Sequence, residues 1–137
     1  MRKFRYLSFL LSSAVVAIFV LVASAALAQD AFKVGPHIYK VLLENERVRV
    51  MEARFKPVDS IAMHSHPDHF VYVQSGGKLH VTGADGKAQA LELKAGEVLW
   101  LPAQSHMGKN IGTTEIVLIV SELKEPAPKS AATPPKH

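Results

Sequence analysis

Between Arg47 and Leu123 the sequence is a series of short runs that alternate like strands, each closed by a turn. RVRVMEARF (Arg47 to Phe55) sets Val48, Val50 and, less cleanly, Glu52 on one face. FVYVQ (Phe70 to Gln74) is β-branched and aromatic and stops at Gly76-Gly77. KLHVTG (Lys78 to Gly83) runs into Ala84-Asp85-Gly86, whose Asp-Gly pair favours a hairpin. ALELK (Ala90 to Lys94) alternates and ends at Ala95-Gly96, and EVLWLP (Glu97 to Pro102) is a nearly continuous apolar strand. IVLIVSEL (Ile116 to Leu123) is fully apolar at first, as a strand buried on both sides would be. No segment after the leader keeps the helical apolar period of about 3.6 residues over ten positions. Many short strands with no helix between them imply an antiparallel sandwich or barrel.

Both ends of the chain are set apart from that pattern. MRKFRY carries Arg2, Lys3 and Arg5, an apolar run follows from Leu7, and Ala26-Leu27-Ala28 is a small-x-small cleavage signal before Gln29 and Asp30. Residues 1–28 therefore read as a secretory signal peptide cleaved after Ala28, which makes the protein periplasmic or secreted. The alternative is an uncleaved N-terminal membrane anchor, because the apolar run is long enough to span a bilayer. At the other end, KEPAPKSAATPPKH (residues 124–137) holds four of the eight prolines and no large apolar residue, the composition of a disordered tail. One domain of about residues 32–123 is left.

Removing the leader also removes the case for a basic protein. It contains three of the 16 Lys+Arg and none of the 12 Asp+Glu, so 13 basic residues face 12 acidic ones afterwards. That near-neutral balance predicts no nucleic-acid partner and, after cleavage, no stable membrane insertion. The chain has no cysteine. Thiolate catalysis, zinc–thiolate sites and disulfides are excluded, and core packing alone must hold an exported fold.

Three of the seven histidines fall in HSHPDHF, residues 64 to 70. On a strand, His64 and His66 point to one face about 6–7 Å apart, close enough for two imidazoles to share an ion. Pro67-Asp68 forms a turn that resets parity, so His69 can face inward at the start of the next strand. His106 follows EVLWLP after a short corner, Ala103-Gln104-Ser105. Neutral imidazole suits zinc, copper, iron and nickel, and no thiol competes. The plainer readings are a polar turn for His-Pro-Asp-His, a sheet-face residue for His80, and core packing for Trp100, Met63 and Met107.

In this arrangement the chain resembles a small single-domain cupin. The superfamily's first motif, G(x)5HxH(x)3–4E(x)6G, is matched by V-DSIAM-HSH-PD-H-FVYVQS-G from Val58 to Gly76. Its second, G(x)5PxG(x)2H(x)3N, is matched by G-EVLWL-P-A-Q-S-H-MGK-N from Gly96 to Asn110. Val58 stands where the family has glycine, Gln104 replaces another glycine, and one residue is missing before His106. His69 stands at the glutamate position after only two intervening residues; an ungapped count puts Phe70 there.

The resemblance implies an all-β fold, a single antiparallel jelly-roll β-barrel. It implies a divalent metal (Fe, Mn, Zn, Ni or Cu) held by His64, His66, His69 and His106, with Tyr72, Gln104 and Asn110 orienting imidazoles or binding substrate. The partner would be a small polar or chelating molecule, with a homodimer as the assembly common among cupins. If the protein is an enzyme, dioxygenase- or isomerase-like chemistry is implied; the alternative is a metal or small-ligand binding or sensor module without turnover. A purely structural barrel with vestigial histidines would bind no metal.

Overall fold

A computed structural model describes residues 29–125. The expected leader (1–28) and all but the first two residues of the expected tail lie outside the described residues. Among those described, one short helix, α1 (Ala31–Val34), precedes nine antiparallel strands. In chain order these are β1 (Tyr39–Glu44), β2 (Val48–Phe55), β3 (Ser60–His66), β4 (His69–Ser75), β5 (Gly77–Gly83), β6 (Ala88–Leu93), β7 (Val98–Leu101), β8 (Gln104–Asn110) and β9 (Ile116–Leu123). They form a five-stranded sheet ordered β1-β2-β9-β4-β7 and a four-stranded sheet ordered β3-β8-β5-β6. This is the expected antiparallel jelly roll.

The core lies between the two sheets, and strand parity decides what enters it. On β2 the buried face is Met51, Ala53 and Phe55, while Val48 and Val50 stay only half-buried. On β4 the inward residues are His69, Val71 and Val73; on β9 they are Ile116, Leu118, Val120 and Glu122. Strand β7 is the edge of its sheet, with Leu99 and Leu101 packed on the core. Trp100, expected in the core, therefore points out and is 58% exposed.

Two strands were not anticipated. Tyr39–Glu44 has no clean alternation, and QSHMGKN, expected to begin with a corner at Gln104 and Ser105, is polar enough to read as a loop. Both are strands because neighbours claim their backbone groups: β1 pairs along the edge of its sheet with β2, and β8 is central, between β3 and β5.

The motif glycines have backbone reasons. Gly96 adopts φ +89, the left-handed region open to glycine. At Gly76 a Cβ would lie 2.2 Å from the Leu93 carbonyl oxygen, so only glycine fits. Val58, where the family has glycine, keeps the left-handed conformation (φ 68) despite its branched Cβ, and is 76% exposed. Val58→Gly should therefore raise stability by about 1 kcal/mol through relief of that strain. Urea unfolding midpoints measure it; an unchanged or lower midpoint contradicts it.

Candidate metal centre

The histidines of β3 reach the interior because of a β-bulge. Ile61 pairs with Gly108 and His64 with His106, so two residues of β3, Ala62 and Met63, oppose Met107 alone. Without the extra residue, Ile61 and His64 would have opposite parity; with it, both are buried, as is His66. The bulge also supplies the Ala62 carbonyl, which lies 2.8 Å from His64 Nδ1 and accepts its N–H. His64 Nε2 is thereby left as a lone pair.

Pro67 and Asp68 carry the chain from the four-stranded sheet to the five-stranded one, and His69 opens β4 facing inward. The Pro67 carbonyl accepts from His69 Nδ1 at 2.7 Å, fixing its tautomer in the same way. His66 Nδ1 donates across the gap between sheets to Glu122 Oε1 at 2.7 Å. On three of the four histidines, then, Nδ1–H is committed and Nε2 is the free acceptor.

Glu122 is 2% exposed and occupies one register row with Arg49 and His69 across β2, β9 and β4. Arg49 donates from Nε (2.8 Å) and Nη2 (2.6 Å) to Glu122 Oε2, and from Nη1 to Asp30 Oδ2 at 2.6 Å. Asp30 itself caps α1 through the Phe32 and Lys33 N–H groups. Burial alone would raise the Glu122 carboxyl, but hydrogen bonds from His66 and Arg49 outweigh it and hold it ionised below its ordinary value. The same balance, with Arg49 as partner, lowers Asp30.

His106 comes from β8, directly opposite His64. Ligand atoms of His64, His66 and His106 all lie within 4.8 Å of one another. Ring centroids are 4.6 Å apart for His64–His106, 4.9 Å for His64–His66 and 5.3 Å for His66–His106. His69 stacks 4.7 Å from His66 but stands outside the mutually close set. The Tyr39 hydroxyl lies 3.4 Å from Nε2 of both His64 and His66 and has a single proton to offer them. His106 Nδ1 is the one buried side-chain nitrogen or oxygen without a partner among the described residues.

Lone pairs crowded together with too few protons are what a divalent cation satisfies, and the donor set fits one. His64, His69 and His106 are also favoured in the neutral form that ligation requires. Burial pushes His64 down to about 4 and His106 to about 3, with the neighbouring imidazoles adding to the effect, and lowers His69 too. Tyr39 is held well above its ordinary value by burial and by the Glu122 charge, so it keeps its proton.

The residues expected to support the site divide differently. Gln104 pairs with His66 across β3 and β8 and faces the same side, half-buried. Tyr72 has the outward parity of β4 and is 42% exposed, away from the imidazoles. Asn110 is fully buried but spends its amide on the fold: Nδ2 donates to the Phe55 (2.9 Å) and Thr114 (2.8 Å) carbonyls, and Oδ1 accepts from Gly112 N–H at 2.9 Å. His80 alternates with inward Leu79 and Val81 and faces out. In place of Tyr72 and Asn110, the supporting residues are Glu122, Arg49, Asp30 and Tyr39. A signal for Glu122 was present, since it is the lone charge in IVLIVSEL.

No family model matches the sequence, and no curated protein matches it. Solved structures do. The chain is 31% identical to a cupin domain from Bordetella pertussis, with a TM-score of 0.60, covering 64% of this chain and 93% of that one. It is 26% identical (TM-score 0.51) to an uncharacterized conserved protein with a double-stranded β-helix domain from Klebsiella pneumoniae, covering 64% and 84%. An RmlC-like cupin family protein from Methanocaldococcus jannaschii shares the fold at 15% identity (TM-score 0.53), covering 64% and 79%. The jelly roll, the two spaced motifs and the similarity to the Bordetella domain lead to one conclusion: the chain belongs to the cupin superfamily.

Proposed function

We propose that this is an exported metal-binding cupin that takes a small chelating molecule at its histidine centre and acts on it as a dioxygenase- or isomerase-like metalloenzyme. The observation that carries the metal is the set of three ring nitrogens from His64, His66 and His106 within 4.8 Å of one another, with His64 and His106 held neutral by burial. With no carboxylate among these donors, a divalent ion would keep a high effective charge and bind and polarise an oxyanion. The chain's own residues supply the rest. The Ala62 carbonyl and Glu122 fix the ring orientations of His64 and His66. Tyr39, relieved of the imidazole lone pairs when these are ligated, can donate its proton to a ligand oxygen. His69, with Nδ1 held by the Pro67 carbonyl, keeps Nε2 as an acceptor next to His66.

Elemental analysis of the chain from Gln29 onward tests this. One equivalent of metal is expected, falling close to zero in His64→Ala and His106→Ala and retained in His69→Ala. Full metal content in the first two variants would sink the assignment.

A binding or sensor module without turnover is favoured by one observation: Glu122 is engaged by both His66 and Arg49 and is not free to move a proton. Oxygen uptake by the loaded protein over a panel of carboxylates and 1,3-diketones separates the two readings. Export predicts a mature N-terminus at Gln29, read by sequencing the protein from a periplasmic fraction. A homodimer is supported by the exposed row Phe70, Tyr72, Val98 and Trp100 beside edge strand β7, and sedimentation tests it.

A further inference from the structure

Behind the imidazoles the barrel contains a cavity of about 70 Å³. Its polar borders are the His69 and His106 rings and Tyr39; the other twelve lining residues are aliphatic or aromatic, apart from Gly108. Leu99, Leu101 and Leu118 are typical of them. Larger grooves lie on the surface, but one of about 910 Å³, lined by Glu46, Arg47, Asp68, Lys124 and Glu125 among others, touches none of the four clustered histidines.

We propose that the ligand is a chelating oxyanion bearing a short hydrocarbon group of about two to four carbons, the head at the histidine centre and the hydrocarbon in this cavity. The proposal rests on the metal-centre reading above and revises the expectation of a polar molecule. Two walls of one chamber carry the inference. A molecule whose head meets His69 and His106 has the remainder of its body against leucine and valine side chains. A hydroxyl or amine placed there would lose its water and find no partner, which costs far more than an alkyl group gains. The volume sets the length, because about 30 Å³ is one water's share of liquid volume, and a cavity near 150 Å³ is what benzene fills. A cavity of about 70 Å³ accordingly takes a fragment smaller than benzene.

Gly108 offers a graded test. A Cβ there would meet Ile61 Cγ2 at 3.7 Å, Phe55 Cε1 at 3.8 Å and Leu79 Cδ1 at 3.9 Å, all ordinary contacts, so Gly108→Ala adds a methyl to the cavity lining without a clash.

The experiment uses the chain from Gln29 onward loaded with cobalt(II), whose visible absorption reports ligand binding, titrated with straight-chain alkyl hydroxamates. Affinity is expected to rise about fourfold per added methylene from acetohydroxamate to butyrohydroxamate and to fall for octanohydroxamate. In Gly108→Ala the best chain should be about one carbon shorter, with melting curves confirming the fold. Equal affinity along the series, or tighter binding of a hydroxylated chain than of its alkyl counterpart, overturns the proposal while leaving the metal centre intact. If cobalt is not taken up, the metal reading fails, and the hydrocarbon site is read in metal-free protein from methyl NMR shifts. There, 1-butanol should shift the Leu99 and Leu118 methyls saturably and 1,2-ethanediol should not; no shift with either overturns it.

Discussion

Glu122→Ala is expected to destabilise the protein by about 3 kcal/mol, the low end of the range for breaking a buried ion pair from one side. The carboxylate is nearly inaccessible and satisfies two donors, His66 Nδ1–H and the Arg49 guanidinium. Removing it strands both, though Asp30 still faces Arg49 and moderates the loss. Glu122→Gln preserves shape and an acceptor for His66 and should cost about half as much. Its larger effect is on the metal: without the anionic partner His66 is a poorer and less fixed ligand, and affinity should fall about 10–100-fold. Urea denaturation and competition with a metal indicator separate the two effects. A Glu122→Ala protein as stable as the parent would contradict the buried network, and unchanged metal affinity in Glu122→Gln would remove its role in the centre.

Acid should weaken the metal-free protein well before its carboxylates titrate. His64 and His106 have folded values of about 4 and about 3 against an ordinary 6.5. Below pH 6.5 the unfolded chain takes up protons that the folded one refuses, so stability is fully present above 6.5 and is lost as pH falls toward the folded values. Each histidine costs about 1.4 kcal/mol per pH unit in that window, or together about 4 kcal/mol between pH 6.5 and pH 5. The depressed Glu122 and Asp30 act in the same direction, but only below their ordinary values of 4.5 and 3.8. Urea midpoints at pH 7, 6 and 5 on chelator-treated protein measure it; a flat profile would mean that the histidines are not buried as neutral rings. Bound metal competes with the same protons, so the loaded protein should show a larger gap between pH 7 and pH 5.

The strands that alternate strongly were legible, and IVLIVSEL forms β9 over its full length, because period-2 patterning follows directly from pleat geometry. So was the common face of His64 and His66. What parity cannot say is which face turns inward when both are apolar. In EVLWLP that choice fell to the edge position of β7, which left Trp100 outside. RVRV overrides its own pattern: Arg49 rather than Val48 or Val50 faces the interior, where Glu122 and Asp30 stabilise its charge.

The β3 bulge was equally hidden, since it exists only in the pairing with β8, a strand whose polar residues do not look like one. The family motif located His69 at the glutamate position and left the carboxylate missing. The fold places one a single hydrogen bond further out: Glu122, from the last strand, stands behind His66. That residue is 56 positions from its partner, and no local pattern links them.

One metal ion held jointly by His64, His66 and His106 is what the proposed chemistry requires. Crystals of the metal-loaded chain, with data collected at the metal's absorption edge, test it most directly. A single strong anomalous peak is expected about 2.0–2.1 Å from one ring nitrogen of each of the three histidines. A peak elsewhere, or none from protein supplied with metal, would contradict it.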